Sequence, residues 1–116
     1  MRRRGKYGAI KTTIHGITFH SKKEAGRYLE LLMLQKAGAI KQLMLQEIFP
    51  IWIGEKFICN YIADFTYTRD DKEIIEDVKG VRTAVFNLKW KLMAATYPDA
   101  TLEIWPPKKR KSTRRR

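Results

Sequence analysis

The stretch from Tyr61 to Lys79, YIADFTYTRDDKEIIEDVK, reads as two β-strands joined by a tight reversal. Tyr61-Ile62-Ala63-Asp64-Phe65-Thr66-Tyr67 is rich in β-branched and aromatic residues, and Glu73-Ile74-Ile75-Glu76-Asp77-Val78-Lys79 is a second such run. Arg69-Asp70-Asp71-Lys72 between them has turn chemistry. A reversal centred between Asp70 and Asp71 sets Asp64 directly opposite Asp77, with Cα atoms about 4.5–5.5 Å apart. Side chains alternate along a strand, so Asp77 and Lys79 share one face and Glu76 points to the other. A β-bulge would exchange Glu76 for Asp77. Two carboxylates opposed on one face destabilise a sheet. A divalent cation between them removes the repulsion.

Upstream, Ser21-Lys22-Lys23-Glu24 has the capping-box pattern and opens a helix that Gly38 closes. Glu24 has two readings, a carboxylate that closes the cap or one that reaches a metal held by the hairpin. Thr12-Thr13-Ile14 and Ile17-Thr18-Phe19 around His15-Gly16 form a small hairpin. Ile40 to Ile53 reads as a strand region interrupted at Pro50, with Gln46 a possible accessory to the Asp64 site. After Gly80, Arg82-Thr83 precede a helix through about Ala95, and Ala100 to Trp105 is a final strand. On that helix Val85, Leu88, Leu92 and Ala95 form one apolar stripe and Phe86, Trp90 and Met93 a second, with Lys89 on the polar side as a possible accessory. The second stripe is either a subunit contact or the inner face of a well-covered helix. The element order predicts an α/β (α+β) sandwich, αβββαβ, with a mixed central sheet flanked by helices and the last strand parallel to its neighbour.

The chain of 116 residues has room for one domain, expected over 11–107 between a basic arm (1–10) and a basic tail (108–116). The net charge is +12, but four of the 24 basic residues fall in residues 1–6 and seven in 108–116. The remaining 13 nearly balance the 12 acidic residues between them. Arg2, Arg3, Arg4, Lys6, Lys108, Lys109, Arg110 and Lys111 are thus candidate phosphate-binding residues. The single Cys59 forbids an intramolecular disulfide and fits a reducing, cytoplasmic setting. No apolar run long enough for a membrane span is present. His15 and His20 match no zinc spacing.

Asp64, twelve intervening residues and then Asp77-Val78-Lys79 resembles the PD-(D/E)XK nuclease superfamily, with Ala63 in place of the leading proline. With Glu24 on the first helix, the pattern is most similar to small archaeal-type Holliday-junction resolvases. The stretches from Gly16 to Ala25 and from Glu76 to Gly80 also look like a family of small phage and prophage proteins assigned to that superfamily. The resemblance implies a restriction-endonuclease-like core and Mg²⁺-dependent cleavage of four-way DNA junctions, with Mn²⁺ as a substitute and no small-molecule cofactor. It implies Asp64, Asp77, the Val78 carbonyl and Glu24 as metal ligands, and Lys79 as the residue that orients water or stabilises developing charge. A homodimer is expected, because two symmetric nicks need two equivalent sites. The resemblance also places such a protein in the cytoplasm of a host cell. The rival readings are a nicking, flap or restriction-like nuclease, or a non-enzymatic basic DNA-binding accessory protein.

Overall fold

A computed structural model describes residues 11–107. The basic arm and tail, with Arg2, Arg3, Arg4, Lys6, Lys108, Lys109, Arg110 and Lys111, lie outside the described residues. The described chain runs β1 (Thr12–Ile14), β2 (Ile17–Phe19), α1 (Lys22–Lys36), β3 (Lys41–Leu45), β4 (Ile48–Ile53) and β5 (Lys56–Ile62). It continues with β6 (Phe65–Arg69), β7 (Lys72–Val78), α2 (Ala84–Thr96) and β8 (Thr101–Trp105). No helix among the described residues is long and apolar enough to cross a membrane.

The central hairpin forms as its sequence dictates. Asp70 and Asp71 take φ values of 54° and 62°, the paired left-handed conformation of a two-residue turn whose twist matches the flanking strands. Phe65 then pairs with Glu76, Thr66 with Ile75 and Tyr67 with Ile74, with no bulge. The strands of the main sheet are ordered β3-β6-β7-β8. β3 and β7 run antiparallel to β6, and β8 runs parallel to β7 after the α2 crossover. The architecture is α+β with a mixed sheet.

The strand region 40–53 behaves differently from its sequence reading. It breaks at Gln46, where φ is 54°, and not at Pro50. Pro50 lies inside β4, paired with Asn60 in a separate two-stranded ribbon of β4 and β5. That ribbon leaves the main sheet because the chain changes direction again at Ala63-Asp64, so the run from Tyr61 to Tyr67 is two strand ends and not one arm.

Each face of the sheet has its own core. Phe19, Ala25, Tyr28, Leu31, Phe65, Tyr67 and Ile74 pack together beneath α1. Phe49, Ile51, Tyr61, Ala63, Ile75, Phe86 and Met93 pack together beneath α2 and the ribbon. Glu24, Arg27, Tyr28 and Leu31, spaced one and two turns apart, are the buried stripe of α1, whereas Leu29 is exposed. On α2, Phe86 and Met93 are buried and Trp90 packs against the same core. The Phe86-Trp90-Met93 stripe is therefore inward-facing and not a subunit contact. Val85 and Leu88 are the large apolar residues that α2 leaves exposed.

Candidate active site

The site lies where β6 begins and β7 ends. Asp64 immediately precedes β6, and the regular register carries it opposite Asp77. Its Oδ2 accepts a 2.8 Å hydrogen bond from the Val78 N–H. The Gln46 N–H donates to the Asp64 carbonyl at 3.2 Å, and the Ala63 N–H to the Glu47 carbonyl at 3.0 Å. These bonds fix the bend that turns Asp64 inward. Gln46 thus touches the site through its backbone, and its side chain is exposed.

Asp77 is buried on the α2 face beside Ile75. Its Oδ2 has no hydrogen-bond partner and lies 3.1 Å from Lys79 Nζ. The two statements are compatible, because the ammonium is close enough for an ion pair but not aligned for a hydrogen bond. Lys79 Nζ also sits 4.6 Å from the centre of the Phe86 ring, which desolvates one side of the cation. Lys89 is half-buried one turn further along α2 from Phe86.

The electrostatics fit a place that takes a cation. Burial first, and then repulsion from the Asp77 carboxylate, pushes the Asp64 carboxyl up to about 8. The Val78 N–H opposes this shift, and the charge on Glu24 adds to it. The Tyr61 hydroxyl is also buried without a hydrogen-bond partner. It is raised above its ordinary value by burial, then by Asp77 and Asp64. The Tyr61 hydroxyl and Asp77 Oδ2, buried with no hydrogen-bond partner, and the Asp64 carboxyl held towards its neutral form thus share one electrostatic neighbourhood. Each would gain from a hard divalent ion, which takes oxygen ligands and keeps several waters.

Glu24 stands beside this group. The Glu24 N–H donates to Ser21 Oγ at 3.1 Å, as the capping box requires. Its Oε1 accepts from the His20 N–H at 3.3 Å. Among the described residues no three His, Cys, Asp or Glu side chains gather at metal-binding spacing. Asp64 and Asp77 are an acidic pair with no third such side chain at that spacing, and Glu24 as placed serves the helix start while its charge is felt at Asp64.

Glu76 has a separate task on the opposite face. Its oxygens accept from Arg27 Nε at 2.8 Å, Arg27 Nη2 at 2.9 Å and the Tyr67 hydroxyl at 2.6 Å. The Arg27 guanidinium also lies 3.7 Å from the centre of the Trp105 ring. The absence of a bulge keeps Glu76 away from Asp64 and makes it the anchor of α1 on the sheet. Beside this network an open groove of about 510 Å³ runs along β8, with Arg69, Arg82, Trp90 and Glu103 in its lining.

Tyr61 and Arg27 were not singled out by the sequence. Tyr61 carries a weak signal, because Tyr61 and Ala63 alternate inward next to Asp64. Arg27 carries one too, three residues after Glu24 and four before Leu31.

The fold and site together define a small mixed α+β domain with an acidic pair and a lysine at the end of a hairpin. A family model described as "Protein of unknown function (DUF1064)" matches residues 4–113, and the chain belongs to that family. Comparisons with curated proteins and with solved structures found no match.

Proposed function

We propose that the protein is a divalent-metal-dependent DNA endonuclease with a restriction-endonuclease-like core, acting on four-way junctions as a homodimer. The observation that carries this reading is the buried Asp77 Oδ2, which accepts no hydrogen bond, opposite Asp64 and in a 3.1 Å ion pair with Lys79 Nζ. With the β4–β5 ribbon set aside, the remaining elements run αβββαβ after the first hairpin, which is the order the resemblance implies.

Asp64 and Asp77 would hold Mg²⁺ or Mn²⁺, with the Val78 carbonyl as a third ligand and Glu24 at a second position. A bound ion would polarise the phosphodiester and lower the pKa of water. The chain's own contribution is placement. Val78 N–H holds Asp64 in register, and the Lys79 ammonium supplies positive charge where the phosphate gains negative charge in the transition state. The basic arm and tail would hold phosphates irrespective of sequence.

The test is cleavage of a synthetic four-way junction with Mg²⁺ by wild type, Asp64→Asn and Lys79→Ala, beside duplex and flap substrates. Loss of at least about 100-fold in both variants is expected. Wild-type rates in either variant remove the roles proposed, and faster cleavage of flap or duplex than of junction moves the substrate to that class. Binding without product under every metal condition leaves an accessory DNA-binding protein.

A further inference from the structure

The β4–β5 ribbon has two unlike faces. Phe49, Ile51 and Tyr61 are buried against the core, whereas Ile48, Trp52, Phe57, Ile58 and Ile62 are 44–59% exposed. A register shift after Ile51 lets Phe57 and Ile58 together oppose Trp52, and the Trp52 and Phe57 rings meet edge to face at 5.6 Å. Ile48 pairs with Ile62 at the other end, and Pro50 pairs with Asn60 in the middle.

We propose that this outer face is the surface on which a second copy of the chain docks. The reading deepens the proposed function, because it names the surface that would set two sites at a fixed spacing. Three features select a second copy as the occupant. The first is area. The five side chains leave on the order of 500 Å² of apolar surface, at the upper end of what a monomer carries and most of the ~800 Å² each partner gives a stable complex. The second is charge. A chain of net charge +12 repels its own copy, and a contact between copies needs a neutral face. β4 contains no charged residue and β5 only Lys56, at the turn end opposite Ile53 and outside the Ile48–Trp52 row. The same lack of cations disfavours a DNA phosphate as the occupant. The third is symmetry. A two-fold axis lying in the face and crossing the strands at Pro50–Asn60 would lay the Ile48–Ile62 end of one copy on the Trp52–Phe57 end of the other, so that one apolar patch supplies both halves of the contact.

Sedimentation velocity of the full chain without DNA or metal reads this directly. Wild type should sediment at twice the 13.7 kDa monomer mass. The double variant Trp52→Glu, Ile62→Glu should raise the dimer dissociation constant at least 100-fold while keeping a cooperative melt. Should that variant not fold, Asn60→Cys in a Cys59→Ser background gives a second reading. It should cross-link between copies with a bis-maleimide of about 10 Å span, since Asn60 would lie near the axis and facing sheets stack about that far apart. A wild-type monomer at 100 µM overturns the assignment, as does a dimer untouched by the glutamates or an Asn60→Cys variant that does not cross-link. A wild-type monomer whose Trp52 face binds neutral lipid vesicles would also overturn it. These readouts need no cleavage, so a monomer sinks the surface and leaves the nuclease test standing. An intact dimer that cuts nothing does the reverse.

Discussion

The Val78 N–H donates to Asp64 Oδ2 across fourteen residues of chain. Strand β7 therefore supplies Asp77, leads directly into Lys79 and also holds Asp64 by its backbone. A regular hairpin with a two-residue turn is what allows one strand to do both, since a slip by one residue would exchange every face.

Stability should depend on pH through Asp64. Its carboxyl is raised from an ordinary 3.8 to about 8 by burial and by Asp77. The fold thus favours the protonated form, and this contribution is fully present below about 4 and lost as pH rises through about 8. Metal-free protein should melt at a lower temperature at pH 8.5 than at pH 5.5, and Asp64→Asn should flatten that dependence. Mg²⁺ should restore the melt more at pH 8.5 than at pH 5.5, because binding must displace the Asp64 proton. A melt flat between these pH values in EDTA would contradict the assignment.

Glu76 should matter for stability where Asp77 does not. Breaking the buried pair by Glu76→Leu or Arg27→Met alone should cost about 3–5 kcal/mol by leaving a charge uncompensated. The double variant should recover most of that loss, which denaturant unfolding of the four proteins measures. Asp77→Asn should be neutral or stabilising, because it relieves the repulsion with Asp64.

Tyr61→Phe removes a buried hydroxyl that has no hydrogen-bond partner. Thermal stability should hold or rise slightly. Because the hydroxyl lies in the field of Asp77 and Asp64, the Mg²⁺ concentration for half-maximal cleavage should rise about tenfold, with the maximal rate less affected. An unchanged Mg²⁺ titration would leave Tyr61 as packing alone.

Removal of residues 108–116 takes away seven basic side chains. The slope of log affinity against log salt for junction DNA should become shallower by about 0.9 for each phosphate that the tail had neutralised. Cleavage at saturating DNA should be retained. An unchanged slope would show that the tail does not touch DNA.

The sequence alone decided what depends on neighbours along the chain. Turn chemistry at Asp70-Asp71, strand alternation and the Ser21 cap set the hairpin, the opposition of Asp64 to Asp77 and the start of α1, because these follow from local φ/ψ preference and a period of two or 3.6. The tertiary structure decided what depends on which face meets which element. Glu76 is a structural anchor only because Arg27 and Tyr67 arrive on its side, and Phe86 and Met93 are core only because α2 lies on Ile75. The left-handed turn at Gln46, with the bend before β6, sends Pro50 and Tyr61 into a separate ribbon. No local pattern announced this, since a polar residue in that conformation is stabilised there by the backbone bond from Gln46 to Asp64.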